Sequence, residues 1–283
     1  MNIHGYYPGN IVGKVPAVVY VMHEYQEEKI EFEKPAENTF IDIKETIQRG
    51  YAVIVMPTSA VAPDFHNDTH NTEGVFKVFG NEKKANSWAI ISAWAWGASR
   101  VMDYIETDNN IDKTNVAVAG HSRSGKAALW CAATDERFRC SYSNNSGCTG
   151  AAMTRTKSGE RVKDIVFTEW FCENYSKYID AENMLPVDQH MLIASIAPRN
   201  VYVTSSVEDE WSSPEAERLS CRMAGEVYEL YGKKGVEMPR DRIEIRKAYH
   251  DGSIGYHVKE GDHSITHFDW NMFLDFLDKK SGE

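Results

Sequence analysis

The chain has 283 residues, enough to bury one large core, and α/β domains of this length commonly form a single unit. Its 42 acidic and 31 basic side chains give a formal net charge of −11, which argues against nonspecific binding to nucleic acid or to anionic membranes. The sequence shows no stretch of the length and hydropathy that a membrane-spanning helix needs.

Cysteine usage and the N-terminus bear on the compartment. The five cysteines form no C-x-x-C pair and are expected to be reduced and mostly buried, which points to the cytoplasm. The first residues contain no apolar core of a secretory signal, although a trimmed N-terminus would leave secretion open.

Strand-like and helix-like segments alternate along the chain, which predicts a mostly parallel sheet with helices on both faces. Apolar or β-rich runs predict strands at 17–22, 51–56, 115–119, 140–143, 201–205 and 243–246. Helical patterns are found at 39–48, 87–105, 127–130, 191–197, 215–231 and 268–277. Residues 58–85 are predicted to form a long loop that carries function, and 144–180 an insertion into a single domain covering 1–283.

The segment GHSRSGK at 120–126 lies between a predicted strand and a predicted helix. Small residues flank Ser122, as in a nucleophile elbow, but Ser124 stands where G-x-S-x-G has its second glycine. The same segment fits the G-x-x-x-x-G-K start of a phosphate-binding loop, with Ala127 in place of the Ser or Thr that holds magnesium. A hydrolase, a nucleotide-binding protein and a turn without chemistry are therefore all compatible with this segment.

Two later loops offer partners for Ser122. Residues 207–211 follow the strand at 201–205 and contain Asp209, and three histidines are predicted to follow the last strand: His250, His257 and His263. The chain order Ser122, Asp209, His263 is the order found in α/β-hydrolases. In this interpretation His263 accepts the serine proton and Asp209 orients the imidazole. His263 is preferred because Gly-Asp precedes it just before the last helix.

Further segments share their order and spacing with one enzyme family. They are AWAWGASR at 93–100, NNSG at 144–147, WFC at 170–172, LPVDQH at 185–190, APR at 197–199, EDEWSSP at 208–214, GDH at 261–263 and DW at 269–270. With the G-[CH]-S-R-x-G-K elbow at 120–126, the chain from about residue 5 to 277 resembles the bacterial glucuronoyl esterases of carbohydrate esterase family fifteen.

The resemblance implies a three-layer α/β-hydrolase fold and a serine esterase that uses no metal and no cofactor. The implied substrate is a glucuronoxylan fragment, in which 4-O-methyl-glucuronate is esterified to a lignin alcohol. Ser122 matches the nucleophile and His263 the base, and Arg123 matches the residue whose backbone N–H and guanidinium stabilise the oxyanion. Three positions match residues that contact the uronate ring: Lys126, Glu160 and Trp211.

The chain departs from the family pattern in three respects, one of which is that the long loop at 58–85 has no clear counterpart in the family. Many members carry a catalytic glutamate at the position of Asn145, which cannot act as an anionic orienter, so Asp209 is expected to be the acid, with Glu208 as the fallback. The chain also starts at what resembles the second strand of the family, so the first strands are either missing or encoded upstream.

Three alternatives stay open at this level. The same triad would serve a carbohydrate acetyl esterase acting on acetylated xylan. Residues 120–126 would serve a nucleotide-binding protein as a phosphate loop. The neutral Asn145 would also suit a carbohydrate-binding protein that has lost catalysis.

Overall fold

The computed structural model of the protein describes residues 1–23, 40–64, 73–80, 84–166, 169–240 and 243–282. Within these ranges the strands are His4–Tyr6 (β1), Val15–Met22 (β2), Ala52–Pro57 (β3), Ile111–His121 (β4), Cys140–Asn144 (β5), Asn200–Ser206 (β6) and Ile254–Lys259 (β7). They form one sheet in the order β1-β3-β2-β4-β5-β6-β7, in which β1 alone pairs antiparallel to its neighbour. The predicted mostly parallel sheet is confirmed.

The α-helices of the described residues lie between and after these strands. They are Ile43–Gln48 (α1), Val75–Phe79 (α2), Ile90–Ile105 (α3), Arg123–Thr134 (α4), Val162–Ile165 (α5), Gln189–Ala194 (α6), Pro214–Leu230 (α7) and His267–Ser281 (α8). Short 3-10 helices lie at Thr58–Ala60, Thr154–Thr156, Glu173–Tyr178 and Glu182–Met184. In the part of the chain that the structure describes, no helix combines the length and hydropathy needed to cross a membrane.

Both faces of the sheet are covered, because successive side chains of a strand point to opposite sides. In β2, Val19 and Val21 pack into a core that includes residues of α3, α4 and α7. The alternate residues Val18 and Tyr20 pack into a second core with residues of α8. This arrangement confirms the three-layer α/β architecture predicted from the sequence.

The prediction for the last strand was wrong. Residues 243–246 form no strand, and three of these four residues are exposed, although Arg246 N donates to Val258 O at 2.7 Å. The last strand is β7, whose pattern is interrupted by the buried polar residues His257 and Lys259. His250 therefore precedes the last strand and His257 lies within it, so only His263 follows it among the three histidines.

The segment predicted to be a long loop and the segment predicted to be an insertion both contain short helices. The 58–85 segment includes the 3-10 helix Thr58–Ala60 and α2, while its residues 65–72 and 81–83 lie outside the described part of the chain. The 144–180 segment contributes no strand beyond the last residue of β5 within its described residues and includes α5. The helix expected from residue 39 begins at Ile43, because Asp42 caps it by accepting from Glu45 N at 3.0 Å; residue 39 itself lies outside the described ranges.

Candidate active site

Ser122 stands at the sharp turn between β4 and α4. Its backbone has φ 59° and ψ −130°, a strained conformation for a residue other than glycine, and its N–H donates to Asn144 O at 2.8 Å. At Gly120 an added Cβ would lie 2.3 Å from Ser124 O, so only glycine permits this approach of strand and helix. Ser124, at the position of the second glycine of G-x-S-x-G, is the second residue of α4 and is fully buried.

The structure brings Ser122, His263 and Asp209 together at the carboxyl edge of the sheet. His263 Nε2 lies 2.8 Å from Ser122 Oγ, and His263 Nδ1 lies 2.6 Å from Asp209 Oδ2. Asp209 follows the end of β6 by three residues and His263 follows the end of β7 by four. Since β4, β5, β6 and β7 run parallel, their carboxyl ends meet at one edge, and residues distant in sequence become neighbours.

Asp209 is a buried carboxylate with several hydrogen-bond donors. Asn145 Nδ2 donates to its Oδ2 at 2.8 Å, and Ser212 N donates to its Oδ1 at 3.1 Å. Burial alone would raise the pKa of Asp209, but hydrogen bonds with His263 and Ser212 outweigh burial and lower this pKa to about 2. Asp209 is therefore ionised at neutral pH. Glu208, the fallback from the sequence, is exposed and has no contact with His263 in the hydrogen bonds of the described residues.

A second histidine packs beside the first. His121 is buried, its Nδ1 lies 2.5 Å from Asn144 Oδ1, and its ring centroid is 4.7 Å from that of His263. Burial and the neighbouring His263 lower the pKa of His121 to about 3. The imidazole of His121 is therefore uncharged at neutral pH and packs against His263 without adding charge to the site.

The Arg123 side chain is held in place from two sides. Its Nη1 donates to Asp64 Oδ2 at 2.5 Å, and its guanidinium lies 4.5 Å from the ring centroid of Trp170. Asp64 also accepts from Trp170 Nε1 at 2.9 Å and lies 3.0 Å from His23 Nε2. Burial would raise the pKa of Asp64, but His23 and Arg123 lower it to about 2. As the first residue of α4, Arg123 has a backbone N–H with no acceptor inside the helix.

Lys126 and Glu160 form a buried ion pair one helical turn after Ser122. Lys126 Nζ donates to Glu160 Oε2 at 2.7 Å and to Cys148 O at 2.5 Å. Trp211 is 55% exposed, and its carbonyl accepts from Glu160 N at 2.7 Å. This contact requires Gly159 (φ +69°), where a Cβ would lie 2.4 Å from Trp211 O. The three residues matched to uronate contacts are therefore linked in the structure.

Sequence reasoning missed the support behind Asn145. Glu217 of α7 is fully buried and accepts hydrogen bonds from Ser146 N at 2.8 Å, Gly147 N at 3.0 Å and Ser205 Oγ at 2.6 Å. Burial raises the pKa of Glu217 to about 7. A glutamate in an amphipathic helix normally faces solvent, so the sequence contained no signal for this contact. Asp64 was missed too, although it lies in the 58–85 loop that was expected to carry function.

Metal chemistry has no ready site in the part of the chain that the structure describes: no group of three or more His, Cys, Asp or Glu side chains there is arranged to hold an ion. The five cysteine sulfurs are all unpaired, and four of these residues are buried.

A serine on a strand-to-helix turn, with an imidazole and a carboxylate on later strand ends of a mostly parallel sheet, defines the α/β-hydrolase class. The particular family follows from comparison with known proteins: the profile described as "Glucuronyl esterase, fungi" matches residues 28–232. The chain belongs to the glucuronoyl esterase family, a family of carboxylic ester hydrolases. The resemblance inferred from the sequence motifs is thereby confirmed.

Individual relatives support the same assignment. Carbohydrate esterase MZ0003, from an unknown prokaryotic organism, is 40% identical over 241 residues, which cover 83% of this chain and 55% of that protein. The 4-O-methyl-glucuronoyl methylesterase of Podospora anserina is 32% identical over 178 residues, covering 56% of this chain and 37% of that enzyme. This chain thus spans about half or less of the length of these two relatives.

Solved structures agree closely with the fold. The glucuronoyl esterase from Solibacter usitatus superposes with a TM-score of 0.88 at 32% identity, covering 98% of this chain and 76% of that one. A promiscuous CE15 esterase from a marine bacterial metagenome gives a TM-score of 0.84 at 34% identity, covering the same shares of the two chains. These similarities favour the esterase interpretation of residues 120–126 over the phosphate-loop interpretation. In addition, Lys126, the lysine of the G-x-x-x-x-G-K pattern, donates hydrogen bonds from Nζ to Glu160 and to the carbonyl of Cys148.

Proposed function

We propose that the protein is a serine esterase that hydrolyses esters of glucuronate through a covalent acyl-enzyme. The observation that carries this proposal is the chain of two short contacts, 2.8 Å from Ser122 Oγ to His263 Nε2 and 2.6 Å from His263 Nδ1 to Asp209 Oδ2. The proposed substrate is a glucuronoxylan fragment whose 4-O-methyl-glucuronate is esterified to an alcohol of lignin. Relatives named 4-O-methyl-glucuronoyl methylesterase support the uronate part of this proposal.

The reaction begins when His263 Nε2 accepts the Ser122 proton as Oγ attacks the ester carbonyl. The tetrahedral intermediate collapses, the carbonyl–alkoxy bond breaks, and His263 returns the proton to the leaving alcohol. Water then attacks the glucuronoyl-serine ester, with His263 again as base, to release glucuronate and regenerate Ser122. Asp209 stays ionised throughout, holds the Nδ1–H tautomer of His263 and stabilises the imidazolium that forms in each step.

Negative charge develops on the ester oxygen during both additions. We assign the Arg123 backbone N–H and guanidinium to this oxyanion, because Arg123 follows Ser122 directly. Asp64 and Trp170 hold its side chain before substrate arrives, so little reorganisation is needed during reaction. Losing one donor of this kind typically costs about 3–4 kcal/mol of transition-state stabilisation.

The uronate ring is assigned to Lys126, Glu160 and Trp211. An ammonium has three N–H donors, of which Glu160 and Cys148 O accept two within the described residues, so a sugar hydroxyl can accept the third. Glu160 offers carboxylate oxygens to hydroxyl donors of the sugar. The exposed Trp211 ring offers a flat apolar face of the kind that sugar rings cover.

Comparison of two esters tests the proposal. Benzyl glucuronate carries the uronate, and p-nitrophenyl acetate shares only the ester chemistry. We expect Lys126→Ala to lower kcat/KM for benzyl glucuronate about 10-fold to 100-fold more than for the acetate, since hydrogen bonds to a charged donor are worth about 1.5–3 kcal/mol. Equal losses on the two esters would argue against uronate recognition, and a preference of the wild type for acetylated xylan would select the acetyl esterase alternative.

A further inference from the structure

Lys259 is a buried cation that contacts the segments carrying the proposed catalytic residues Asp209 and His263. It is the last residue of β7, and only 3% of it is exposed. Its Nζ donates to Ser206 Oγ at 2.7 Å and to Ser264 Oγ at 3.2 Å, and it lies 3.9 Å from Asp269 Oδ2. Burying an ammonium is costly unless it is paired and hydrogen-bonded, and Lys259 meets this requirement through two serine hydroxyls and Asp269.

The two serines belong to the segments that carry the acid and the base. Ser206 ends β6, and its carbonyl accepts from Asp209 N at 3.2 Å. Ser264 follows His263 directly in the chain. One ammonium group therefore bridges the segment that presents Asp209 and the segment that presents His263.

Ser206 also connects Lys259 to Asn145. Ser206 Oγ accepts from Asn145 Nδ2 at 3.0 Å, and the same amide nitrogen donates to Asp209 Oδ2 at 2.8 Å. A continuous set of hydrogen bonds thus runs from Lys259 through Ser206 and Asn145 to the carboxylate. Asp269 is fully buried and fixed by Thr266 N at 2.7 Å and His257 Nε2 at 2.8 Å, so the anion that balances Lys259 is itself immobile.

We propose that Lys259 is a positioning residue that sets the distance between Asp209 and His263 by holding Ser206 and Ser264 at the same time. The proposal rests on the function proposed above, in which these two residues act with Ser122. A neutral side chain of similar length would fill the same space but could not hold both hydroxyls. A displacement of about 1 Å in such a constellation can reduce the rate about 100-fold.

The main test compares Lys259→Met with Lys280→Met. Lys280 is also buried, at 2% exposure, and donates to Asp251 O at 3.3 Å, but it lies in the last turn of α8, about 20 Å along that helix from its start beside the site. We expect Lys259→Met to lower kcat about 10-fold to 100-fold on both benzyl glucuronate and p-nitrophenyl acetate with KM within about twofold of the wild type. Lys280→Met should keep kcat within about twofold of the wild type, even if its Tm falls as far as that of Lys259→Met.

A folded Lys259→Met that keeps the wild-type kcat would overturn the proposal, as would an equal loss of kcat in Lys280→Met. If Lys259→Met does not fold, Ser264→Ala removes the contact of Lys259 to the segment of the base, together with the 3.4 Å hydrogen bond that Ser264 Oγ donates to Asp262 O. We expect this variant to keep the wild-type Tm and to lose about 3-fold to 10-fold in kcat. An unchanged kcat would contradict the positioning role of Lys259. Ser122→Ala separates the two proposals: if it retains hydrolysis, the proposed function fails, whereas an inactive Ser122→Ala beside a normal Lys259→Met contradicts only the role of Lys259.

Discussion

Asn145 donates a hydrogen bond to Asp209 Oδ2 at 2.8 Å, from a position where many family members are expected to carry a carboxylate. Its backbone has φ 44°, a left-handed conformation that asparagine tolerates better than most residues. Among the described residues, Asp209 is the carboxylate hydrogen-bonded to the imidazole of His263, and Asn145 is a neutral amide donor beside it. The carboxylate next to His263 therefore follows β6, whereas Asn145, which follows β5, is uncharged.

Replacing this amide with a second acid should change the pH dependence of hydrolysis. In Asn145→Asp two carboxyl groups would face each other at hydrogen-bond distance, so one of them would retain a proton to higher pH. We expect the acid limb of the kcat/KM–pH profile to move upward by about one unit or more. Asn145→Ala, which removes the donor without adding charge, should lower kcat and leave the limb in place. Identical profiles for the two variants would contradict this account.

The identity of the acid is tested by Asp209→Asn. This change keeps the shape but removes the charge that fixes the His263 tautomer, so kcat should fall about 10³-fold to 10⁴-fold. Glu208→Gln is the matched variant, because Glu208 is the neighbouring acid and makes no hydrogen bond with His263 among the described residues. Its kcat should stay within about twofold of the wild type. A larger loss in Glu208→Gln than in Asp209→Asn would assign the role to Glu208.

Asp64 should act through Arg123. In Asp64→Asn the guanidinium loses its anionic partner, and we expect kcat to fall about 10-fold to 100-fold with little change in KM. Arg123→Gln should show a loss of similar or greater size. Because both changes affect one interaction, the double variant should be hardly slower than Arg123→Gln alone. Fully additive losses in kcat would show that Asp64 has an independent effect.

Glu217 should make stability depend on pH near neutrality. Its pKa is raised from 4.5 to about 7 in the folded protein, so between these values the folded state binds more protons than the unfolded state. The free energy of unfolding therefore falls as pH rises through this window, by up to about 1.4 kcal/mol per pH unit. Thermal melts should show the Tm of Glu217→Gln rising relative to the wild type between pH 5 and pH 8. A constant difference in Tm across this window would mean that Glu217 does not titrate there.

The sequence predicts the sheet well because its central strands are continuous apolar runs. Residues 17–22 and 51–56 are buried on both faces, and such runs have few alternatives to a parallel strand. The last strand was misplaced for the opposite reason. The side chains of His257 and Lys259 are polar, and hydrogen bonds to tertiary partners, among them Asp269, Tyr202 and Ser206, make their burial favourable.

The residues of the candidate site also divide into those that a local sequence signal indicates and those that only tertiary contacts reveal. Ser122, Asp209 and His263 could be proposed from a motif, a chain order and a family resemblance, all of which are local or sequential signals. Asp64 and Glu217 have no such signal. Each is an acidic residue whose contacts include residues far away in the chain, and a carboxylate at either position would ordinarily be interpreted as a solvated surface group.

The most direct test of the central claim is to locate the acyl group. Wild-type protein mixed with benzyl glucuronate, quenched in acid within milliseconds and digested, should yield a peptide that carries a glucuronoyl ester on Ser122, identified by mass spectrometry. Ser122→Ala should release no benzyl alcohol and carry no such ester. An ester on another residue, or continued hydrolysis by Ser122→Ala, would contradict the account.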